Sequence, residues 1–367
     1  MILVLTQCFP PETGGIENLV GGFVAALGES GRSVTVMADP TDGDRTFEAQ
    51  LDNVAVQRFG GLKPLRRRLK AWSAGRLIAR GGIEAVFCDS WKSLELLART
   101  EVPVAVMAHG MEFPPKISER KRQRIVHALS KAATVIANSR YTADLARPYV
   151  SPPTRLVIVH PPIRPQPAPG SAALQRLSAL TQGARPLLVG LARLEPRKGF
   201  DRVIQSLPEL TQKFPGIRLV IGGGGGDAER LEALAREAGV AGRVHLLGRV
   251  GDDDKAALLA SADLFVMPTR REGNSVEGFG LVYAEAAWYG VPSLAGSDGG
   301  GSDAVADGET GFVVAGESRE AIEAAIGGLL AGDARRKAMG EAARARVVRE
   351  GTWQTALGRY LDGTLRS

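Results

Sequence analysis

The 367-residue chain reads as two doubly wound α/β domains in tandem, and three observations carry that reading. Short β-branched or aliphatic runs alternate with helix-length amphipathic segments from end to end, the pattern of parallel strands joined by crossover helices. The length exceeds what one small core organises and matches two domains of ordinary size. Near the middle the stretch HPPIRPQPAPG, residues 160–170, interrupts the alternation with five prolines and reads as a stiff linker.

In the first half the predicted strands cover residues 2–5, 33–38, 54–59, 85–88, 103–108, 134–137 and 156–159. Past the linker the alternation restarts, with predicted strands at 186–191, 217–222, 244–247, 264–267, 292–295 and 311–314. Two helical stretches, 333–349 and 352–365, close the chain. The expected organisation is a Rossmann-like domain over 1–163, a linker over 164–170, a second Rossmann-like domain over 171–350, and a helical segment over 351–367 that packs back on the first domain. Doubly wound sheets bind ligands beyond the carboxyl ends of their strands, so the two domains are expected to face each other across a ligand cleft.

Composition narrows the class. Apolar residues make up 44% of the chain, ordinary for a soluble globular protein. Cys8 and Cys88 stand apart in apolar runs without ligand spacing, which predicts reduced core thiols and no cysteine-based metal site. The opening MILVLTQCFPP has no basic leader and reads as a first strand, and no window holds 18 uninterrupted apolar residues, so the expected location is cytoplasmic. The net charge of +6 is unevenly placed: residues 1–165 hold 22 Lys+Arg against 15 Asp+Glu, residues 166–367 hold 24 against 25. The excess concentrates in LKPLRRRLKAW (62–72) and KISERKRQR (116–124), and a basic first domain favours an anionic partner or, equally, a solvated helix face. In the first of these stretches Leu62, Leu65, Leu69 and Trp72 recur at helical spacing among Lys63, Arg66, Arg67, Arg68 and Lys70. An apolar edge beside a cationic face suits an anionic membrane surface, and a helix laid on the core gives the same apolar pattern.

Five stretches carry chemistry. In PPETGGIENLV, Gly14 and Gly15 follow the first strand and let backbone approach a ligand at the start of a helix, although a tight turn alone gives the same pattern. LVGLARLEPRKGF sets Arg193 and Lys198 five residues apart in the loop after the first strand of the second half, where two cations can flank a pyrophosphate. VIGGGGGDAERL invites a dinucleotide reading, but Asp227 stands where the last glycine of that fingerprint belongs and the run does not open its domain. Asp252, Asp253 and Asp254 form a pattern that can hold a metal on a nucleotide, yet they immediately precede an Ala/Leu-rich helical run, where acids cap the helix. Finally, EGFGLVYAE sets Glu277 in a loop and Glu285 on the following helix, with Gly278 and Gly280 between.

These last residues, taken with ARLEPRKGF and GGIE in the same order, resemble the retaining glycosyltransferases of family 4, which have the GT-B architecture; the resemblance extends over almost the whole chain. It implies that Glu285 accepts hydrogen bonds from the donor ribose and that Glu277 faces the sugar and phosphate. Phe279, Gly280 and Leu281, beside Gly278, are then expected to offer backbone N–H groups to phosphate and hexose. His109, at the end of a first-domain strand in AHGMEF, matches a residue that contacts the donor sugar, and Asn138 or Ser139 in ANSRYTA matches a segment lining the cleft. Arg249 and Val250 match the loop that holds the nucleobase through backbone groups.

The resemblance implies a hexosyl transfer with retention from GDP-mannose or a UDP-hexose to a glycan or lipid-linked acceptor, in polysaccharide or lipopolysaccharide biosynthesis. His109, Arg193, Lys198 and Glu277 are the expected catalytic set; no metal, no other cofactor and no nucleic-acid partner is expected. Peripheral contact with the inner face of a membrane follows from the basic first domain. Two other readings stay open: a GT-B-fold sugar-nucleotide epimerase, and a non-catalytic sugar-nucleotide-binding protein.

Overall fold

The computed structural model describes residues 1–12, 14–114 and 116–365; Arg366 and Ser367, part of the expected C-terminal segment, lie outside the described residues, as does Thr13 of the first glycine loop. The chain divides into two compact units, residues 1–164 with 352–367, and residues 165–351.

In the first unit seven strands form one parallel sheet: β1 (Ile2–Leu5), β2 (Val34–Ala38), β3 (Val54–Arg58), β4 (Ala85–Cys88), β5 (Val104–Ala108), β6 (Thr134–Ala137) and β7 (Arg155–Ile158). Their order is β3-β2-β1-β4-β5-β6-β7, so the order reverses at β1, with the loop after β1 at the switch point. The central strands are buried on both faces and accordingly read as continuous apolar runs such as ILVL and AVFC. One face is covered by the helix Gly15–Glu29 and, from the far end of the chain, by Trp353–Leu365. That last helix is seated by aromatic contact: Trp353 and Tyr360 lie 5.9 and 5.6 Å from the Phe23 ring. Gly22 makes the seat, because a Cβ there would lie 2.3 Å from Trp353 Nε1. Burying side chains of this size contributes about 1.5–3 kcal/mol each.

The other face carries Lys63–Ala79, and here the structure corrects one expectation and decides another. Three of the cations of this helix, Arg66, Arg67 and Lys70, point inward. Arg66 and Lys70 both reach Asp39, at 2.8 and 2.5 Å, and Arg67 reaches Glu95 at 2.7 Å. The apolar stripe therefore faces solvent: Leu62 is 80%, Leu65 56%, Leu69 44% and Trp72 61% exposed. Neither the core-facing apolar face nor an outward Arg66, Arg67 and Lys70 holds; only Lys63, Arg68 and Arg76 flank the stripe on the outside. Ion pairing accounts for the inversion: Asp39, just after β2, and Glu95 lie under the inward face, and leaving these part-buried carboxylates without cations would be costly.

The second unit repeats the winding with six parallel strands: β8 (Leu187–Leu191), β9 (Arg218–Gly222), β10 (Val244–Leu246), β11 (Leu264–Met267), β12 (Ser293–Gly296) and β13 (Gly311–Val314). Their order is β10-β9-β8-β11-β12-β13, which puts the switch point between β8 and β11. Cys88 is buried at the end of β4, whereas Cys8 lies in the loop after β1, where burial and the neighbouring Asp89 and Glu17 carboxylates push its thiol up to about 12. No helix among the described residues is long and apolar enough to cross a membrane.

Candidate active site

The loop after β8 carries two of the predicted cations. It closes in a short 3₁₀ turn, Pro196–Lys198, and hands over to the helix Phe200–Lys213 through Gly199. Gly199 has φ +76°, and a Cβ there would lie 2.1 Å from the Pro268 carbonyl at the end of β11, so glycine alone lets the two loops touch. The contact is reinforced by Arg270, whose N–H donates to the Arg197 carbonyl at 2.9 Å and whose guanidinium forks onto Asp201 at 2.7 and 3.0 Å. The loop that leads to Glu277 is thereby anchored on the loop that carries Lys198.

At the junction Lys198 Nζ lies 2.5 Å and Arg197 Nη1 3.0 Å from the same oxygen, Glu277 Oε2. Burial alone would push the Glu277 carboxyl up; the two cations overcome it and hold the group at about 2. Arg197 also bonds Glu195 at 2.7 Å, and Glu195 is 3.4 Å from Arg193, whose side chain is 71% exposed. Three cations thus share two carboxylates, leaving one net positive charge for an incoming anion. Arg193 is the member free to swing.

Gly280 caps the helix Leu281–Trp288, so Leu281 supplies one of the first-turn N–H groups that have no partner within a helix. Phe279 is buried, and Gly278 passes under the loop that holds Gly299 and Gly300, whose Gly300 N–H donates to the Glu277 carbonyl at 2.9 Å. One turn into the helix, Glu285 is paired with Lys255 Nζ at 2.6 Å. Arg249 is exposed, and Val250 packs beside Gly222.

Two motifs take structural explanations. The glycine run braces the Arg193 loop: Ala192 N–H donates to the Gly222 carbonyl at 3.1 Å and Leu194 N–H to that of Gly224 at 3.0 Å. A Cβ at Gly223 or Gly225 would collide with the backbone of that loop, which accounts for the glycines without a dinucleotide. Asp252, Asp253 and Asp254 form the first turn of Asp252–Ser261, but the cap itself is Gly251, so they complement the helix dipole instead of capping; Asp254 pairs with Arg176 at 2.5 Å.

In the first unit the candidates gather at the carboxyl ends of β1, β4, β5 and β6. Gly14 and Gly15 open the helix Gly15–Glu29, with the Glu17 carboxylate in its first turn. Asp89, after β4, is the organiser: its Oδ2 accepts from Thr6 Oγ1 at 2.9 Å and from the N–H groups of Gln7 and Cys8 at 2.7 and 3.2 Å. His109 Nε2 lies 2.8 Å from the Asp89 carbonyl, which can only accept, so Nε2 carries a hydrogen; in the neutral ring this makes Nδ1 the acceptor. Asn138 is buried after β6, and Ser139 is fully buried as the cap of Arg140–Ala146, a structural role in place of the expected lining one.

Sequence reading missed Arg197, Lys255, Asp201, Arg270 and Asp89. Arg197 had a signal in the adjacent Arg-Lys pair. Lys255 had none, because its partner is 30 residues away and only the fold joins them.

The sequence model of the family described as Glycosyl transferases group 1 matches residues 175–346, and that of Glycosyltransferase Family 4 matches residues 13–166. A GDP-mannose-dependent alpha-(1-6)-phosphatidylinositol monomannoside mannosyltransferase of Mycobacterium tuberculosis is 34% identical, over 98% of this chain and 97% of its own length. A GDP-mannose-dependent monoacylated alpha-(1-6)-phosphatidylinositol monomannoside mannosyltransferase of Corynebacterium glutamicum is 30% identical, over 100% and 97%. The crystal structure of Anabaena HepE in complex with UDP and glucose superposes with a TM-score of 0.78 at 19% identity, over 99% of this chain and 98% of that one, a likeness of fold.

Proposed function

The chain belongs to glycosyltransferase family 4, and from that premise we propose that it transfers mannose from GDP-mannose, with retention and without a metal, to a phosphoinositide-linked glycolipid. The observation that carries the donor and acceptor is the end-to-end similarity to phosphatidylinositol monomannoside mannosyltransferases at 34% identity. The site supports the chemistry. Departure of the nucleoside diphosphate builds negative charge, and Arg193, Arg197 and Lys198 stand where a preorganised cation cluster stabilises it. An arriving diphosphate competes with Glu277 for Lys198, which frees the Glu277 carboxylate toward the sugar. Glu285 accepts from the ribose hydroxyls, sharing its charge with Lys255. Attack on the front face through an oxocarbenium-like state, with the leaving phosphate oxygen taking the acceptor proton, needs no protein nucleophile. His109 Nδ1 accepts a hydrogen bond from a sugar hydroxyl, and Gly14, Gly15 and Asn138 border the first-domain side.

The test is a transfer assay with GDP-mannose or UDP-hexoses and vesicles containing phosphatidylinositol monomannoside, in EDTA. GDP-mannose is expected to give a mannosylated lipid of unchanged anomeric configuration at full rate in the chelator. Transfer from UDP-hexoses alone, or an epimerised nucleotide sugar without acceptor, overturns the reading; loss of activity in EDTA with recovery on magnesium or manganese overturns the metal-free part.

A lipid acceptor calls for a way onto the bilayer, and the outward stripe of Leu62, Leu65, Leu69 and Trp72, flanked by Lys63, Arg68 and Arg76, suits an anionic membrane surface. Each basic residue near such a surface contributes about 1 kcal/mol, and the apolar side chains add their burial. The wild type is expected to float with anionic vesicles, and Leu65→Gln with Trp72→Ser to stay behind. Equal recovery of variant and wild type would leave the stripe without a membrane role.

A further inference from the structure

Beside the inward face of Lys63–Ala79, at the carboxyl end of β1, lies a shallow, solvent-open recess lined by Gln7, Arg67, Lys70, Lys92 and Ser93 over an apolar floor of Leu5, Ala71 and Leu96. Its charge is out of balance. Glu95 is shared by Arg67 at 2.7 Å and Arg124 at 2.6 and 3.0 Å. Asp39 is shared by Arg66 and Lys70. Each carboxylate therefore neutralises one cation of a pair and remains partnered if the other turns away. Lys92 has no carboxylate within ion-pair distance among the described residues, only the Trp91 ring at 6.0 Å. The one acid at the inner end, Asp89, is occupied by hydroxyl and backbone donors, Ser93 Oγ among them at 2.5 Å. With Arg66, Arg67, Lys70, Lys92 and Arg124 set against Asp39, Glu95 and Asp89, the surroundings of the recess carry a surplus positive charge of about two, with the Gln7 amide as a neutral donor.

We propose that this recess binds a phosphodiester, the headgroup phosphate of the lipid acceptor; this rests on the phosphoinositide reading above. A phosphodiester is a monoanion with two free oxygens, which Lys92 and Arg67 can take from two sides while the apolar floor meets its ester carbons. The recess and the outward stripe are opposite flanks of one helix. With side chains a helix is about 10–12 Å across, so a lipid whose acyl chains lie at Leu65, Leu69 and Trp72 brings its phosphate within reach of the recess.

The test is calorimetric titration of the whole chain with glycerophosphoinositol, the deacylated headgroup, against myo-inositol and inorganic phosphate. Glycerophosphoinositol is expected to bind, myo-inositol to bind more weakly, and Lys92→Glu to weaken the headgroup by about tenfold or more, while Arg76→Glu on the outer stripe leaves it unchanged. Lys92 is exposed and unpaired, so its variant keeps the fold; Gln7→Leu is the second variant. Absence of headgroup binding, binding untouched by both recess variants, or inorganic phosphate held as tightly as the diester overturns the site. The two readings fail separately. If Lys92→Glu transfers mannose with unchanged KM for the lipid, the recess is wrong and the function stands. If the wild type transfers to no phosphoinositide yet binds the headgroup through Lys92, the function is wrong and the recess stands.

Discussion

Lys198→Ala and Arg193→Ala are each expected to lower turnover by about a hundredfold to a thousandfold, the loss seen when one preorganised donor to developing charge is removed. The two variants differ in what else they disturb. Arg193 is 71% exposed and among the described residues pairs only with Glu195, at 3.4 Å, so its loss is expected to leave the fold untouched. Lys198 is buried against Glu277, and its loss leaves that carboxylate with Arg197 alone. Melting temperature is therefore measured beside kcat, and Arg193→Ala is the cleaner reading of the phosphate loop. Near-normal turnover in both variants removes the assignment of this loop to the leaving diphosphate.

Glu277→Gln is expected to destabilise the second unit at neutral pH and to gain more than the wild type from a bound nucleoside diphosphate. The Glu277 carboxyl falls from its ordinary 4.5 to about 2 in the folded chain, so ionised Glu277 stabilises the fold above pH 4.5. That contribution, at most about 3 kcal/mol, is lost as the pH falls from 4.5 toward 2. In the variant Arg197 and Lys198 face a neutral amide, and only Arg197 keeps an acid, Glu195. At about 2–4 °C per kcal/mol for a unit of this size, a drop of several degrees is expected at pH 7, shrinking as the pH approaches 2. GDP, placing its phosphates on the two cations, is expected to narrow the gap. An unchanged melting temperature at pH 7 would mean that the ion cluster is no more than a solvated pair.

Much of this was written in local chemistry. Strand runs such as ILVL, AVFC and LFVM announced themselves because a parallel strand buried on both faces has no polar side to show. Glu277 and Glu285 were legible because a glycine-punctuated loop running into a helix is a local pattern, as was the pairing of Arg193 with Lys198 in one loop. Only the tertiary structure decided who meets whom. Lys255 reaches Glu285 across 30 residues and Arg270 reaches Asp201 across 69, and sequence spacing holds no trace of such contacts. The helix Lys63–Ala79 makes the division plain. Its amphipathic period is determined by the sequence alone, but which face turns inward depended on Asp39 and Glu95 waiting at the ends of other elements. Periodicity fixes the two faces of a helix; the charges of its neighbours choose between them, and those neighbours exist only once the chain has folded.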